Sequence, residues 1–472
     1  MSFNFALMVS AVALGALLGQ RWPGLAVALV IVCAPLRVAV FPSVEVATLL
    51  LVGVALVRIP AMRVLLREER ATMLAMAAFL GWIAASGGWA LQSVFVPQLF
   101  GKWLVVALSC WIVASLDEKT GWTPGFIVGV ALLAIVPSSL WAFGERQGWI
   151  LPLGDPAILE NRLIALDSLT RGRALFWHPN RLAEFVEGFA LLLVVTATLG
   201  VRRAFSLLGV TAAVLGVWAT GSTGGMAALY GGGILGAASC WMPRRARRVA
   251  LVGGGLAGLA ALAIAAYLFQ LHGGVGSRWI VFEFALGVIR KHPWLGIGAG
   301  NWPLAVGQAS ADLSRFWFRS HAHSLPLQVL AELGGVGLLL CIGFFVLPWL
   351  RSVRVLVTAE PAWRAIGLGA ALGIAGLLAH DLVHYFLRDA VDGIAPGALL
   401  GIALLAASRG AATSGEERGG AATALLGVPE SAGQGSSAAG SEMKTAGPGM
   451  SATAPGMSAT APGMSAAGPG QP

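Results

Sequence analysis

The chain has 472 residues, of which 57% are hydrophobic and only 11% charged, with a formal net charge of +9. Soluble chains carry about 25% charged residues, so a string of about three soluble domains of ~150 residues each is excluded. A nucleic-acid partner is not implied either, because the arginines gather in short segments between apolar runs, as topology signals do.

Stretches such as Phe189–Leu199, Val249–Leu271 and Val336–Leu350 carry little or no charge. Long apolar runs of about 18 residues or more span membranes as helices, whereas barrel strands alternate in polarity. The expected class is therefore all-α, a polytopic membrane protein with about 12 transmembrane helices. Met1–Gly19 has no basic region at its start and is expected to be a retained first helix rather than a cleaved signal. Two or three apolar segments precede Arg58. Helices follow near 71–87, 103–116, 122–142, 182–200, 205–220, 224–242, 249–271, 323–350, 365–380 and 394–408. The basic clusters Arg58 to Arg70, Arg202–Arg203, Arg244–Arg248, Arg351 to Arg364, and Arg409 all fall on one side with this parity, the cytoplasmic side by the positive-inside rule.

Two long polar loops, 144–181 and 272–322, then lie on the opposite side, with a shorter one at 381–393. Loops of this length usually carry function. Their basic residues, among them Arg171, Arg173, Arg181, Arg278, Arg315 and Arg319, run against the topological preference and need another purpose. The helical domain spans 1–408. Residues 409–472 are rich in Ala, Gly, Ser and Pro and repeat a seven-residue unit from Gly449 and again from Gly456. Such a segment buries too little apolar surface to offset its ordering entropy, so a disordered cytoplasmic tail is expected. The four cysteines lie in apolar stretches and imply no disulfide framework.

Four segments could carry chemistry. In His321-Ala-His323-Ser324-Leu-Pro326, Ser324 suits an N-cap and Pro326 a first turn, which sets His323 just before a helix N-terminus. That position favours anions and a neutral imidazole able to act as a base. In a regular chain His321 faces away from His323. Gly276-Ser-Arg278-Trp279 opens an amphipathic stretch to Lys291, and Gly296-Ile-Gly298-Ala-Gly300-Asn301 follows as a turn. No strand precedes those glycines, so no dinucleotide site is implied; the planar fork of Arg278 suits phosphate. Trp177-His178-Pro179-Asn180-Arg181 can end a loop and cap the next helix. His380 and His384 stand at i, i+4, one helix face, yet without a third evident ligand or a His-Glu-x-x-His pattern, so no metal site is assigned. There is no Walker motif, no Gly-x-Ser-x-Gly elbow and no Asp-x-Asp pair.

His323-Ser324, followed after nine residues by Gly334, resembles the His-[Asn/Ser]-x9-Gly signature of the O-antigen ligases and Wzy-type polymerases. Ser277-Arg278-Trp279, Pro293-Trp-Leu-Gly296-Ile-Gly298 and His178-Pro-Asn180 are similar to further blocks of that family, over about residues 173–389. The resemblance implies a bacterial inner-membrane glycosyltransferase that moves a glycan from an undecaprenyl-diphosphate carrier at the periplasmic face. It implies inversion, no metal and no cofactor, with His323 and Arg278 catalytic. Arg173, His178, Asn180, Arg181, His321, Ser324 and Arg319 are the expected substrate-binding residues. Sugars could stack on Trp177, Trp279 or Trp302. The implied acceptor is a glycan, a lipid A core or a protein hydroxyl, and the implied partners include membrane lipids and no nucleic acid. One departure stands out: where relatives carry Ser-Arg-Gly, this chain has Ser222-Thr223-Gly224-Gly225, so that either Arg173 or Arg181 is the expected substitute or diphosphate binding is weaker. A polymerase on the same donor is the near alternative. A transporter or flippase is the distant one, opposed by polar residues in outer loops rather than at the midplane.

Overall fold

The computed structural model describes residues 2–36, 39–41, 44–150, 171–176, 178–243, 276–309, 321–355 and 360–425. Fourteen α-helices occur among them. The first six are α1 (Ser2–Arg21), α2 (Pro23–Cys33), α3 (Val46–Glu68), α4 (Arg70–Ala85), α5 (Val96–Ala114) and α6 (Pro124–Arg146). Then come α7 (Pro179–Thr198), α8 (Arg203–Thr220), α9 (Thr223–Trp241), α10 (Gly276–Lys291) and α11 (Trp302–Ala309). The last are α12 (Leu325–Val355), α13 (Pro361–His380) and α14 (Ile394–Leu425). A small antiparallel ladder of β1 (Ala39–Phe41) and β2 (Val44–Glu45) is the one departure from all-α among the described residues.

Eight segments among the described residues are long and apolar enough to cross a membrane, in α3, α4, α5, α6, α8, α12, α13 and α14. The expected run 249–271 lies outside the described residues. Large apolar side chains face outward mid-helix, including Leu133, Ile234 and Leu339 at 62%, 73% and 70% exposure. In a soluble protein such a surface would be a liability. Against lipid it is the expected solvent-facing side, since helices satisfy their backbone internally.

The helix ends sort as the charge pattern requires. At one end Arg58 donates to the Ser115 carbonyl at 2.6 Å, Arg351 pairs with Glu69 at 3.2 Å, and Trp363 donates to Glu118 at 3.1 Å. The basic clusters that precede α4 and α13 therefore share an end. At the other end the chain after α4 binds the glycine turn after α10, with Leu91 N–H on the Ile297 carbonyl at 3.1 Å and Gln92 N–H on Asn301 Oδ1 at 2.8 Å.

Helix α7 is the centre of its neighbourhood, packed against α6, α8, α9 and α13. Its approach to α13 is close because Gly373 lies against the backbone at Gly188, where a Cβ has no room. Small residues let membrane helices meet at backbone distance, and here that brings polar side chains of the two helices into direct contact.

The chain divides into Met1–Gly420 and Ala421–Pro472. Helix α14 runs on to Leu425, past Arg409 where the sequence suggests the tail begins. The reason is local: five of the eight residues from Ala411 to Arg418 are Ala, Glu or Arg, good helix formers that outweigh Thr413, Ser414 and Gly415.

Candidate active site

Five of the seven histidines of the chain meet at the end of the helices opposite the basic clusters. His178 caps α7: its Nδ1 accepts from Asn180 N–H at 3.1 Å, with Pro179 at the first helical position. This is the capping role expected from His-Pro-Asn. Asn180 Oδ1 in turn accepts from Arg171 at 2.7 Å, and Arg171 Nε reaches the Thr220 carbonyl at the end of α8, 2.5 Å away.

One turn into α7 the inward face reads Arg181, Glu184, Glu187, all buried, at spacings of three that keep them in line. Arg181 forms a salt bridge with Asp389 and lies 3.5 Å from Asp392. Glu187 meets His380 Nδ1 with both oxygens at 3.0 Å. His380 Nε2 lies 3.4 Å from Ser222 Oγ, which accepts from Gly225 N–H at 3.2 Å to cap α9. Glu184 bonds His384 Nδ1.

The i, i+4 expectation for His380 and His384 fails for a reason visible here. Helix α13 ends at His380 and the chain turns, so each ring pairs with its own glutamate on α7. Glu184, Asp381 and His384 do bring three ligand atoms within 4.8 Å of one another. Two of those three already share a hydrogen bond.

His321 and His323 precede α12. The sequence predicts that they face apart, and they do not: their ring centroids are 4.1 Å apart. His323 has φ 52, in the left-handed region, which folds the two rings onto one side. His321 Nδ1 accepts from His323 N–H at 3.1 Å. The first N–H of α12, on Leu325, is taken by the carbonyls of Asp381 and His384 at 2.8 and 3.1 Å. Ser324 is buried, and its carbonyl accepts the first helical bond from Gln328.

Electrostatics outside the spanning segments follow from burial. Burial first, then His384 and nearby arginines, holds the His178 imidazole well below its ordinary value. Burial, then His323, does the same to His321. Burial, then Glu184, pushes the Asp381 carboxyl well above its ordinary range. Burial and Arg181 lower Arg388 to about 10. A cavity of about 30 Å³ lies among Arg181, Glu184, Asp381 and Asp392, room for a water-sized guest.

The His323-to-Gly334 spacing has a structural meaning. Gly334 has φ 68 and ψ −172 and breaks α12 three turns after His323. The glycine turn after α10 enters the break: Gly335 N–H bonds the Pro293 carbonyl and Gly298 N–H the Glu332 carbonyl, both at 2.8 Å. Glu332 Oε1 accepts from Trp302 N–H at 2.9 Å. The signature thus ties the histidine-bearing helix to the helix that carries Arg278.

Several expected site residues are placed otherwise. Trp302 is wholly buried against Phe284, 5.5 Å away, and offers no face to a sugar. Arg173 is buried, and its backbone N–H bonds Glu145 at 2.7 Å. Arg181 is balanced by two aspartates, so of the candidates for the absent Ser-Arg-Gly arginine neither is the nearest. Arg171 and Arg146 flank Gly221 at the α8–α9 elbow, 3.3 and 3.7 Å from where a Cβ there would stand. Arg278 lies on α10, its side chain outside what the structure describes; Arg319 and the Trp177 and Trp279 side chains are likewise outside it. Glu184 and Glu187 were not singled out by motif. Their signal is two carboxylates inside an apolar helix, where ionisable groups are costly and face a polar purpose.

Eight apolar segments of spanning length among the described residues define a multi-pass α-helical membrane protein. Residues 204–342, from α8 into α12, match the family described as O-antigen ligase. That match takes in Ser222–Gly225, Arg278, His321–Ser324 and Gly334, while segments 171–181 and 380–392 flank it. None of the curated proteins matches the chain.

Proposed function

We propose that this protein is an O-antigen ligase-type glycosyltransferase. It moves a glycan from an undecaprenyl-diphosphate carrier to an acceptor hydroxyl at the periplasmic face of a bacterial inner membrane. The observation that carries this reading is the family domain, with its histidine set in a cluster of polar and charged groups at the helix ends opposite the basic clusters.

Diphosphate is a good leaving group, so no strong general acid is required. Its developing charge needs cations, and in this reading Arg278 and Arg171 supply them, Arg171 standing in at the elbow where relatives carry Ser-Arg-Gly. Fixed cations aimed at charge that develops in the transition state are usually the largest catalytic term. The acceptor hydroxyl loses its proton to His323, and attack from the face opposite the diphosphate inverts the anomeric centre. The lipid tail lies against outward-facing apolar side chains. No step requires a metal.

The test is a deletion in the source cell followed by a gel of surface glycans. Loss of capped ladders with lipid-linked polymer retained supports ligation. Single-repeat products would instead assign a polymerase on the same donor. Unchanged surface glycans would overturn the reading.

A further inference from the structure

His384 is the hub of the histidine cluster. The rings of His178, His321, His323 and His380 stand around it with centroids 6.2, 6.1, 6.5 and 5.6 Å away. Hydrogen bonds sort these rings by tautomer. His178 and His321 each accept a backbone N–H at Nδ1, so that nitrogen carries no proton. Protonation there would break the bond. His380 and His384 instead present Nδ1 to a carboxylate, so Nδ1 donates and the basic nitrogen is Nε2. This is the arrangement in which a buried carboxylate fixes an imidazole and stabilises its protonated form. In the His380 couple, Nε2 faces Ser222, the cap of α9, which gives that couple a structural task.

We propose that the His384–Glu184 couple receives the proton that His323 takes from the acceptor hydroxyl. This rests on the glycosyltransfer reading above. The acceptor O–H bond breaks and its proton passes to His323. The new glycosidic C–O bond forms as the old C–O bond to diphosphate breaks, its electron pair leaving with the diphosphate. The proton then passes from His323 through one bridging water to His384 Nε2, because rings 6.5 Å apart are too far for a direct hydrogen bond; Nδ1–H stays on Glu184, and the proton reaches bulk water after the products depart. Charge explains the second station. An imidazolium at His323 lies against the His321 ring, and His321 itself stands in the field of Arg388 and Arg181. At His384 the same charge is met by the Glu184 carboxylate. Burying that carboxylate in an apolar helix is costly without such a partner. The groups facing His384 are Glu184 and His178 from α7, His321 and His323 from the chain before α12, and His380 and Asp381 at the end of α13. His384 and Glu184 are positioning residues in this scheme, acting through His323.

The experiment measures kcat and KM against pH for the full chain in lipid with a purified undecaprenyl-diphosphate-linked glycan. Glu184→Gln keeps an acceptor for Nδ1–H and removes the charge. Its kcat is expected to fall ~10-fold or more, with the acid limb moved down about one pH unit and donor KM within about twofold, because the imidazolium loses its counter-charge. Glu184→Asp should restore the wild-type limb. Glu187→Gln should leave the limb in place. His384→Asn keeps a donor toward Glu184 but has no basic nitrogen, and it should lose kcat at least as heavily; it decides the matter if Glu184→Gln does not fold. A wild-type pH profile in Glu184→Gln, a loss confined to KM, or full turnover by His384→Asn would overturn the couple's role while leaving the glycosyltransfer reading intact. Absence of any transfer by the wild type would overturn both.

Discussion

His323 is held at a backbone angle that non-glycine residues rarely adopt, and its ring is packed on that of His321. Strain of this kind costs about 1–3 kcal/mol and collects at functional sites. His323→Ala is expected to lower transfer by roughly 10²–10⁴-fold with donor binding kept, the contribution of a positioned base. Because His321 Nδ1 holds the His323 N–H, His321→Ala should also slow transfer, but by less, through misplacement of His323. Separate donor-binding and transfer assays in lipid check both, and wild-type transfer by His323→Ala would end the assignment. Arg278→Lys should weaken donor binding, since lysine keeps the charge and loses the bidentate fork. The buried imidazoles also predict a pH effect on stability. His178 and His321 are depressed by burial in the folded state, so unfolding takes up protons once the pH falls below their unfolded value of about 6.5. Stability is therefore full above that value and is lost as pH drops toward the folded values. The thermal midpoint in detergent should fall between about pH 6.5 and 5; a midpoint flat over that range in wild type would contradict the burial argument.

Helix α12 does two tasks that pull against each other. It must carry His323 at one end and yet open at Gly334 to admit the glycine turn. The backbone of Gly334 lies where essentially only glycine fits, and a Cβ there would collide with the Trp294 carbonyl. Gly334→Ala should cost at least about 1–3 kcal/mol and loosen α10 from α12. The expected signature is a lower thermal midpoint together with a weaker affinity for donor, because α10 carries Arg278. An alanine variant with unchanged midpoint and donor affinity would show that the break is not needed. Helix α7 shows the complementary case. Its charged face was hidden from motif reading because the partners of Glu187 and Glu184 lie 193 and 200 residues away. Hydrophobic periodicity could place α7 in the membrane, and the carboxylates could have raised suspicion, but nothing local names His380 and His384 as their partners.

The sidedness of the whole chain rests on arginine placement, and the contacts Arg58–Ser115, Glu69–Arg351 and Glu118–Trp363 gather those segments at one end. A cysteine placed at Trp149, which is 75% exposed and on the end with the histidines, should react with an impermeant thiol reagent in intact spheroplasts. One placed at exposed Glu360 should react only after permeabilisation. Reversed labelling would invert the topology and move the candidate site to the other face.

Apolar run length determined the class, because a helix that spans lipid must be long and uncharged. Charge between the runs set the expected parity, and the short segment His321-Ala-His323-Ser324 supplied one half of the candidate site, since those residues are neighbours in the chain. The tertiary structure decided the rest. It turned His321 toward His323 through one left-handed residue, ended α13 so that His380 and His384 take separate glutamates, and buried Trp302 away from any sugar. It also neutralised Arg181 with two aspartates and brought Arg171 to the α8–α9 elbow. The reason is the same in each case: these outcomes depend on which helices approach at backbone distance, as α7 and α13 do at Gly188 and Gly373, and that is set by packing across the chain rather than by any local run of residues.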